Sequence, residues 1–456
     1  MKYTASQSTQ NTKKSLVEQL SLTKINKKNP NKNDKLTITM HVKRDKHENG
    51  MTLKEYTDAL IAGTQPILDH DMFVYQFGSI QDEIDLVVNW ANTNNLVVKD
   101  CCCGKATVRV EGTVGQFNKL FSVSLYTATT DSRTYTTHDG TYTLPNEIND
   151  VIETITGLDN FVAFKSCARI GYSTTKPSNN SNIDSALILG NPSPVDLALA
   201  YKFPRILGTD AEQGEGECIG ILELGGGWEH KAVNASFRRI NLPSPEIVDV
   251  NVGAAFNDIS DIGSSIEVLL DIYCAGAVAP AAKQVIYFAE NSFQGFADGI
   301  LAAANDTVNN PSSLSISWAG TDWIFEYYGF KPIFDAAIQA CLVKGITVLV
   351  AAGDYGVIAI PYQSGPYAVC YPAASPYALA CGGTEVVVDY PNRDIVSEIV
   401  WGTDGDFPNA TGGGQAYPWM RDSGIVDGLD EIDFVIRYYG FEYQGTPVPD
   451  WQKNSD

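Results

Sequence analysis

Residues 264–289, SSIEVLLDIYCAGAVAPAAKQVIYFA, decide how this chain is built. The first half is apolar at helical spacing and ends before Pro280; the second half, QVIYFA, is a short unbroken apolar run. A helix feeding a strand with no polar face describes a strand buried on both sides, which is the environment of a parallel sheet covered by helices. The same alternation extends in both directions. CIGILEL (218–224), SLSIS (313–317) and ITVLVAA (346–352) read as further buried strands. EHKAVNASFRRI (229–240), FADGILAAANDTV (296–308) and FKPIFDAAIQACLVKG (330–345) read as the helices between them. The expectation from about Ser193 onward is therefore an α/β fold, and in such folds active sites lie outside the carboxyl ends of the strands.

Upstream the pattern changes. KLTITMHVKR (35–44) alternates like a strand, and TLKEYTDALIAG (52–63) and SIQDEIDLVVNWANTNN (79–95) have helical spacing, with Ser79 placed to cap the second. LVVKDCCCGKATVRVEG (96–112) reads as a hairpin turning at Cys103-Gly104-Lys105. TVGQFNKLF (113–121) is a short helix followed by the strand-like SVSLYTAT. Strands flanking helices without long gaps predict an α+β unit of the split βαβ, ferredoxin-like type over 36–164. Residues 1–35 have few apolar residues and many Lys and Asn, a disordered composition. Residues 165–192 are rich in Ser, Asn, Thr and Pro, an exposed linker of the kind that proteases cut.

At 456 residues, 44% hydrophobic and 19% charged, the chain has material for two or three globular domains. No apolar run reaches the roughly 18–20 residues of a membrane span, and residues 1–46 carry no secretory apolar core. Residues 1–50 hold a net charge of +7 and the rest −29, within a total of −22. So acidic a body repels nucleic acid and anionic membranes. At low pH its carboxylates neutralise, which suits work in acid. The nine Cys include no C-x-x-C pair and there are only five His, so no zinc site is expected. Cys218, Cys274, Cys341 and Cys381 sit in apolar segments as small buried hydrophobes, with a Cys370–Cys381 bridge left open.

Candidate chemistry gathers at strand ends. ITVLVAAGD ends in Asp354, SISW in Trp318, and IGILELGGGW carries Glu223 before a glycine turn. Glu267 and Asp271 stand at i and i+4 on the helix of 264–279, about 6 Å apart between Cβ atoms. Two carboxylates on an otherwise apolar helix cost stability unless they share a proton or hydrogen bonds, which separates their pKa values as acid/base chemistry requires. Singly, each has a plainer reading: a solvated acid pair, a turn-starting Asp354, a satisfied strand-end Glu223, a core Trp318.

The order of the blocks brings them together. CIGILELGGGW, EVLLDIYCAGAVAPAAKQVIYFA, SLSISWAG, ITVLVAAGDYG and YPAASPYALACGGT resemble, in sequence and spacing, the sedolisin family of serine-carboxyl peptidases, above all its kumamolisin branch. LTITMHVKR, MTLKEYTDAL, KATVRVEGTVGQFNKLFSVSLY and YTLPNEINDVIETITGLDN resemble that branch's activation domain. The resemblance covers about 36–163 and 193–452. It implies a subtilisin-like catalytic domain over 193–456, with Glu267 as general base tuned by Asp271. It further implies Asp354 as the protonated oxyanion-hole residue, and Glu223 and Trp318 as outer members of the hydrogen-bond network. It also implies a zymogen inhibited by its own pro-domain, protein or peptide substrates, secretion or an acidic compartment, and a calcium ion whose ligands lie beyond residue 456.

The family's nucleophile is a Ser in a Gly-Thr-Ser sequence near the C-terminus, and none occurs in residues 1–456: Gly382-Gly383-Thr384 is followed by Glu385. PVPDWQ (447–452) resembles the segment preceding that region. Tyr355 stands where a Ser is usual, Gln415-Ala416 follows TGGG, and residues 421–446 are an added segment. The chain by itself is therefore expected to be inactive. The alternative to a zymogen endopeptidase is a pseudoprotease that binds peptides or a partner. A nucleotide-binding reading of LELGGGWEH lacks the G-x-G-x-x-G spacing.

Overall fold

The computed structural model describes residues 26–44, 50–129, 134–138, 141–160, 164–166, 193–203, 213–327, 329–356, 369–389, 392–402 and 410–413. By compactness the chain divides into two units, the first of 1–50, 74–162 and 292–294, the second of 51–73, 163–291 and 295–456.

The first unit contains β1 (Asn26–Lys28) and β2 (Lys35–Val42). Next in the chain come α1 (Leu53–Ile61), which belongs to the second unit, and α2 (His70–Phe77), which crosses the division. Then follow α3 (Gln81–Thr93), β3 (Val97–Cys102), β4 (Thr107–Thr113), α4 (Val114–Leu120), β5 (Leu125–Thr129), β6 (Thr134–His138) and β7 (Ile152–Thr156). Its main sheet has the order β3-β4-β2-β7, antiparallel throughout. With α3 between β2 and β3 and α4 between β4 and β7, this is the split βαβ arrangement expected from the sequence. The alternation of β2 puts Ile38, Met40 and Val42 into a core shared with Ile84, Val87 and Trp90 of α3 and Phe117 of α4. Thr113 caps α4 through a capping box with Gln116. Ser79 does not cap α3: the cap position is Ile80, without a side-chain bond, and the Ser79 hydroxyl donates instead to the Lys43 carbonyl at 3.2 Å. A long-range acceptor won over the local one. Helix α2 has no counterpart in the sequence reading; the Asp69 carboxylate accepts from the Met72 amide at its start.

The second unit continues with β8 (Lys165–Ser166), α5 (Pro194–Ala200), β9 (Cys218–Glu223), α6 (His230–Arg239), β10 (Ile247–Asn251), α7 (Ile262–Val278), β11 (Lys283–Phe288) and α8 (Phe293–Ala304), whose first two residues fall in the first unit. After these come β12 (Ser313–Ile316), β13 (Trp318–Thr321), α9 (Asp322–Tyr327), α10 (Lys331–Val343), β14 (Thr347–Ala351), β15 (Cys370–Tyr371), β16 (Leu379–Cys381), β17 (Thr384–Asp389) and β18 (Asp394–Val400). Six strands form a parallel sheet in the order β10-β11-β9-β12-β14-β16. The α/β class expected from 264–289 is what forms, because strands such as β11 are apolar on both faces and need helices on each.

Several details depart from expectation. Asn26–Lys28, assigned by composition to a disordered tail, form β1 and pair antiparallel with β5, whose main-chain groups accept a polar strand as readily as an apolar one; residues 1–25 lie outside the described residues. Trp318 does not end β12 but opens β13, a separate short strand that pairs antiparallel with β15 and β8. Lys165 and Ser166, placed by composition in a linker, form β8; the stretch 167–192, like residues 421–446, lies outside the described residues. Cys218 and Cys341 are buried, but Cys274 and Cys381 are exposed. Cys274 falls on the helical stripe of Ile266 and Leu270, which α7 turns outward. Cys370 and Cys381 are both free thiols.

Candidate active site

The carboxyl ends of β9, β12 and β14 bring the candidate residues to one end of the sheet. Glu223 is the last residue of β9 and is fully buried. The glycine turn that follows is a packing device. Gly226 has φ +77°, and a Cβ there would lie 2.4 Å from the Ser264 carbonyl carbon in the first turn of α7. A Cβ on Gly227 would lie 2.2 Å from Asn257 Oδ1. The backbone that a nucleotide reading would leave open is therefore filled by protein. Asp261 caps α7 by accepting from the Ser264 amide, and the Ser265 hydroxyl accepts from the Gly227 amide at 3.1 Å, so the turn and the helix are locked together.

That helix carries Glu267, 2% exposed, and Asp271 one turn later. The Trp318 indole donates to Glu223 Oε2 at 2.9 Å; the other Glu223 oxygen has no partner among the described residues. Burial pushes the Glu223 carboxyl well above its ordinary range, with Asp271 and Glu267 adding to it and the Trp318 bond opposing. Asp271 is pushed up to about 7, first by burial and then by Glu267, against the hydrogen bond from Ser317. Glu223, Glu267, Asp271 and Trp318 thus form one electrostatically linked group. Buried carboxyls this close cannot all ionise, so the group stores protons at a pH where free carboxylates have lost them.

Asp354 lies three residues beyond β14, the strand next to β12. Residues 410–413 hold that strand end: the Ala410 amide donates to the Asp354 carbonyl, and Gly412 packs so tightly that a Cβ would lie 1.8 Å from the Ala352 carbonyl oxygen. Tyr355 bridges to Ala410. Gln415 and Ala416 lie outside the described residues.

Two participants escaped sequence reasoning. The Ser317 hydroxyl lies 3.0 and 2.9 Å from the two Asp271 oxygens and is the donor to them. Its only sequence signal is its place beside Trp318. The Ser166 hydroxyl donates to Glu267 Oε2, brought there by the pairing of β8 with β13, Ser166 opposite Trp318 and Lys165 opposite Ala319. No local pattern announces a contact spanning a hundred residues. Among the described residues no three His, Cys, Asp or Glu side chains gather closely enough to hold a metal ion. Nor is any helix among them long and apolar enough to cross a membrane.

The family model for the pro-kumamolisin activation domain matches residues 23–161. Kumamolisin from Bacillus sp. is 32% identical over 385 residues, covering 83% of this chain and 67% of the relative. Xanthomonalisin from Xanthomonas sp. is 24% identical over 349 residues, which are 70% of this chain and 41% of that protein. Among solved structures, Pseudomonas sedolisin complexed with pseudo-iodotyrostatin superposes with a TM-score of 0.44 at 23% identity, covering 54% of this chain and 69% of that one. On the kumamolisin match and the activation domain, this chain belongs to the sedolisin family of serine-carboxyl peptidases.

Proposed function

We propose that this chain comprises the pro-domain and most of the catalytic domain of a self-inhibited serine-type endopeptidase acting at acidic pH. The pro-domain spans about 36–164 and the catalytic domain begins near 193. A processing site lies within 165–192. Glu267 is the general base, Asp271 tunes it, Asp354 supplies the oxyanion hole, and Glu223 with Trp318 supports the pair. One observation carries this reading: the buried Glu267 carboxylate receives a serine hydroxyl from a strand laid beside it, next to an Asp271 carboxyl that keeps its proton up to about 7.

The nucleophile must come from a Ser that residues 1–456 do not offer in the Gly-Thr-Ser setting. When it attacks, its hydroxyl proton passes to Glu267 and its oxygen adds to the scissile carbonyl carbon. Protonated Asp354 donates a hydrogen bond to the oxyanion that forms, and collapse breaks the carbon–nitrogen bond as Glu267 returns its proton to the leaving amine nitrogen. Water then adds to the acyl-enzyme carbonyl, giving a proton to Glu267, which passes it to the serine oxygen as the carbon–oxygen bond to serine breaks. A carboxylate base suits acid because it is still ionised where a histidine would be protonated. Ser166 occupies the hydroxyl-accepting position on Glu267, so the uncleaved segment competes with substrate. Export or an acidic compartment follows from the same reading, and calcium enters no step of it.

The test is acid-pH hydrolysis of an unstructured protein substrate by this chain and by one extended through the downstream reading frame. Activity confined to the extended chain, and lost in Glu267→Ala and Asp354→Ala, supports the assignment. Activity surviving Glu267→Ala overturns the roles. A folded, extended chain without activity points to the pseudoprotease alternative.

A further inference from the structure

Residues 101–103 are three consecutive cysteines, and the peptidase reading uses none of them. All three are free thiols, Cys101 exposed and Cys102 and Cys103 half-buried. They close β3, the outer strand of the four-stranded sheet, and lead into the turn 103–106 before β4. The chain is extended through Cys102, which stands opposite Thr107, so Cys101 and Cys103 turn to one face and Cys102 to the other. The surroundings agree. The Cys103 thiol donates to Gln81 Oε1 at 3.2 Å, and the Gln81 side-chain amide donates to Asp85 Oδ1 at 2.8 Å. The Asp85 carboxylate on α3 acts electrostatically on both Cys101 and Cys103. Cys102 instead accepts from the Lys105 amide at 3.5 Å and lies within reach of the Arg44 charge. The turn that presents the thiols is fixed from behind: the Cys103 carbonyl accepts from the Ser79 and Ala106 amides, both at 3.0 Å, and the Gly104 carbonyl from Arg44 at 2.8 Å.

Two positions of extended chain span about 6.7 Å, whereas a disulfide needs its Cβ atoms about 3.8 Å apart. Cys101 and Cys103 therefore stand too far apart to join directly while β3 stays paired. An ion bound by two sulfurs at about 2.3 Å each fills such a gap. Among the described residues no three His, Cys, Asp or Glu side chains gather closely enough to hold a metal, so the four ligands of a tetrahedral zinc are not offered. A soft ion content with two thiolates is accommodated. The geometry points to a binding site for a monovalent, thiophilic metal ion of the Cu(I) class, held between the Cys101 and Cys103 thiolates. Binding exchanges the ion for two thiol protons, which pass to solvent, that of Cys103 leaving its bond to Gln81. The site goes beyond the peptidase reading and stands or falls without it.

The experiment uses the full chain under exclusion of oxygen, with Cu(I) itself as the probe. Cu(I) carried by a coloured competing chelator is titrated into wild type, Cys101→Ser, Cys102→Ser, Cys103→Ser and, as a control at another exposed thiol, Cys274→Ser. Wild type should withdraw a tightly held ion from the chelator. Cys101→Ser and Cys103→Ser should each hold it at least about a hundredfold more weakly, because the remaining thiolate loses the effective concentration of its neighbour. Cys102→Ser and Cys274→Ser should stay within about threefold of wild type, since neither removes a ligand. In wild type, an equivalent of Cu(I) should also protect Cys101 from alkylation, read by fragment mass spectrometry, while Cys274 is still labelled. That measurement needs no variant, so it decides the matter even where a Ser variant does not fold. Binding lost in Cys102→Ser as fully as in Cys101→Ser, binding unchanged in Cys101→Ser and Cys103→Ser, or Cys101 labelled as fast with Cu(I) as without it overturns the inference. Displacement of the ion by an excess of Zn(II) overturns it too, because a site that prefers zinc must have more than two ligands.

Discussion

The substitution Asp271→Asn should change the way the catalytic unit's stability depends on pH. The Asp271 carboxyl is raised from its ordinary 3.8 to about 7 by burial and by Glu267, with Ser317 opposing. The folded chain therefore holds this proton more tightly than the unfolded chain does. The contribution is fully favourable below about pH 4 and is lost as pH rises through about 7. Three pH units at about 1.4 kcal/mol each make a ceiling of about 4 kcal/mol. The carboxamide of the variant would be neutral at every pH while its carbonyl oxygen still accepts the Ser317 hydroxyl. Urea unfolding of both proteins from about pH 4 to about pH 8 measures the effect. Near pH 4 the two should differ by less than about 1 kcal/mol, both being uncharged at this position. By pH 8 the variant should be the more stable by about 2–4 kcal/mol, because wild type must then bury a second anion beside Glu267. A difference that stays flat across the range, or wild type gaining on the variant as pH rises, would refute the view that Asp271 is a proton store.

The same geometry sets three further outcomes. Trp318→Phe removes the donor to Glu223 and should cost about 1–3 kcal/mol, whereas Glu223→Gln keeps an acceptor for the indole and should cost less than about 1 kcal/mol near pH 7; thermal unfolding of both variants checks the ordering. Gly226→Ala combines φ +77° with a 2.4 Å approach to Ser264 and should cost more than about 2 kcal/mol, while Gly216→Ala, at φ +80° in open space, should cost about 1 kcal/mol, again by unfolding midpoint. Brief alkylation of the native chain, read by peptide mass spectrometry, should label exposed Cys101 and spare Cys341, whose thiol is buried and raised to about 12, until denaturant is added.

The local sequence was sufficient wherever periodicity and punctuation acted alone. The unbroken apolar run of β11 and the helix before it required a covered parallel sheet, and the alternation of β2 with the Cys103-Gly104-Lys105 turn required the antiparallel unit upstream. The i,i+4 spacing of Glu267 and Asp271 was enough to put both acids on one helix face. The same spacing on an apolar helix also predicted shared protons or hydrogen bonds, but the partners that oppose or reinforce the shift were not legible, because they lie far away in the chain: Ser317 is 46 residues from Asp271 and Trp318 is 95 from Glu223. The same reason explains the misplaced cap at Ser79, where a distant carbonyl outcompeted the local helix amide. Composition could mark residues 165–166 as the start of a linker, since Lys and Ser are polar and Pro and Asn follow. Only the tertiary structure could make them a strand. The edge of β13 that β8 takes exists only once β13 and β15 are assembled, and pairing along it holds Lys165 and Ser166 extended, with the Ser166 hydroxyl on Glu267.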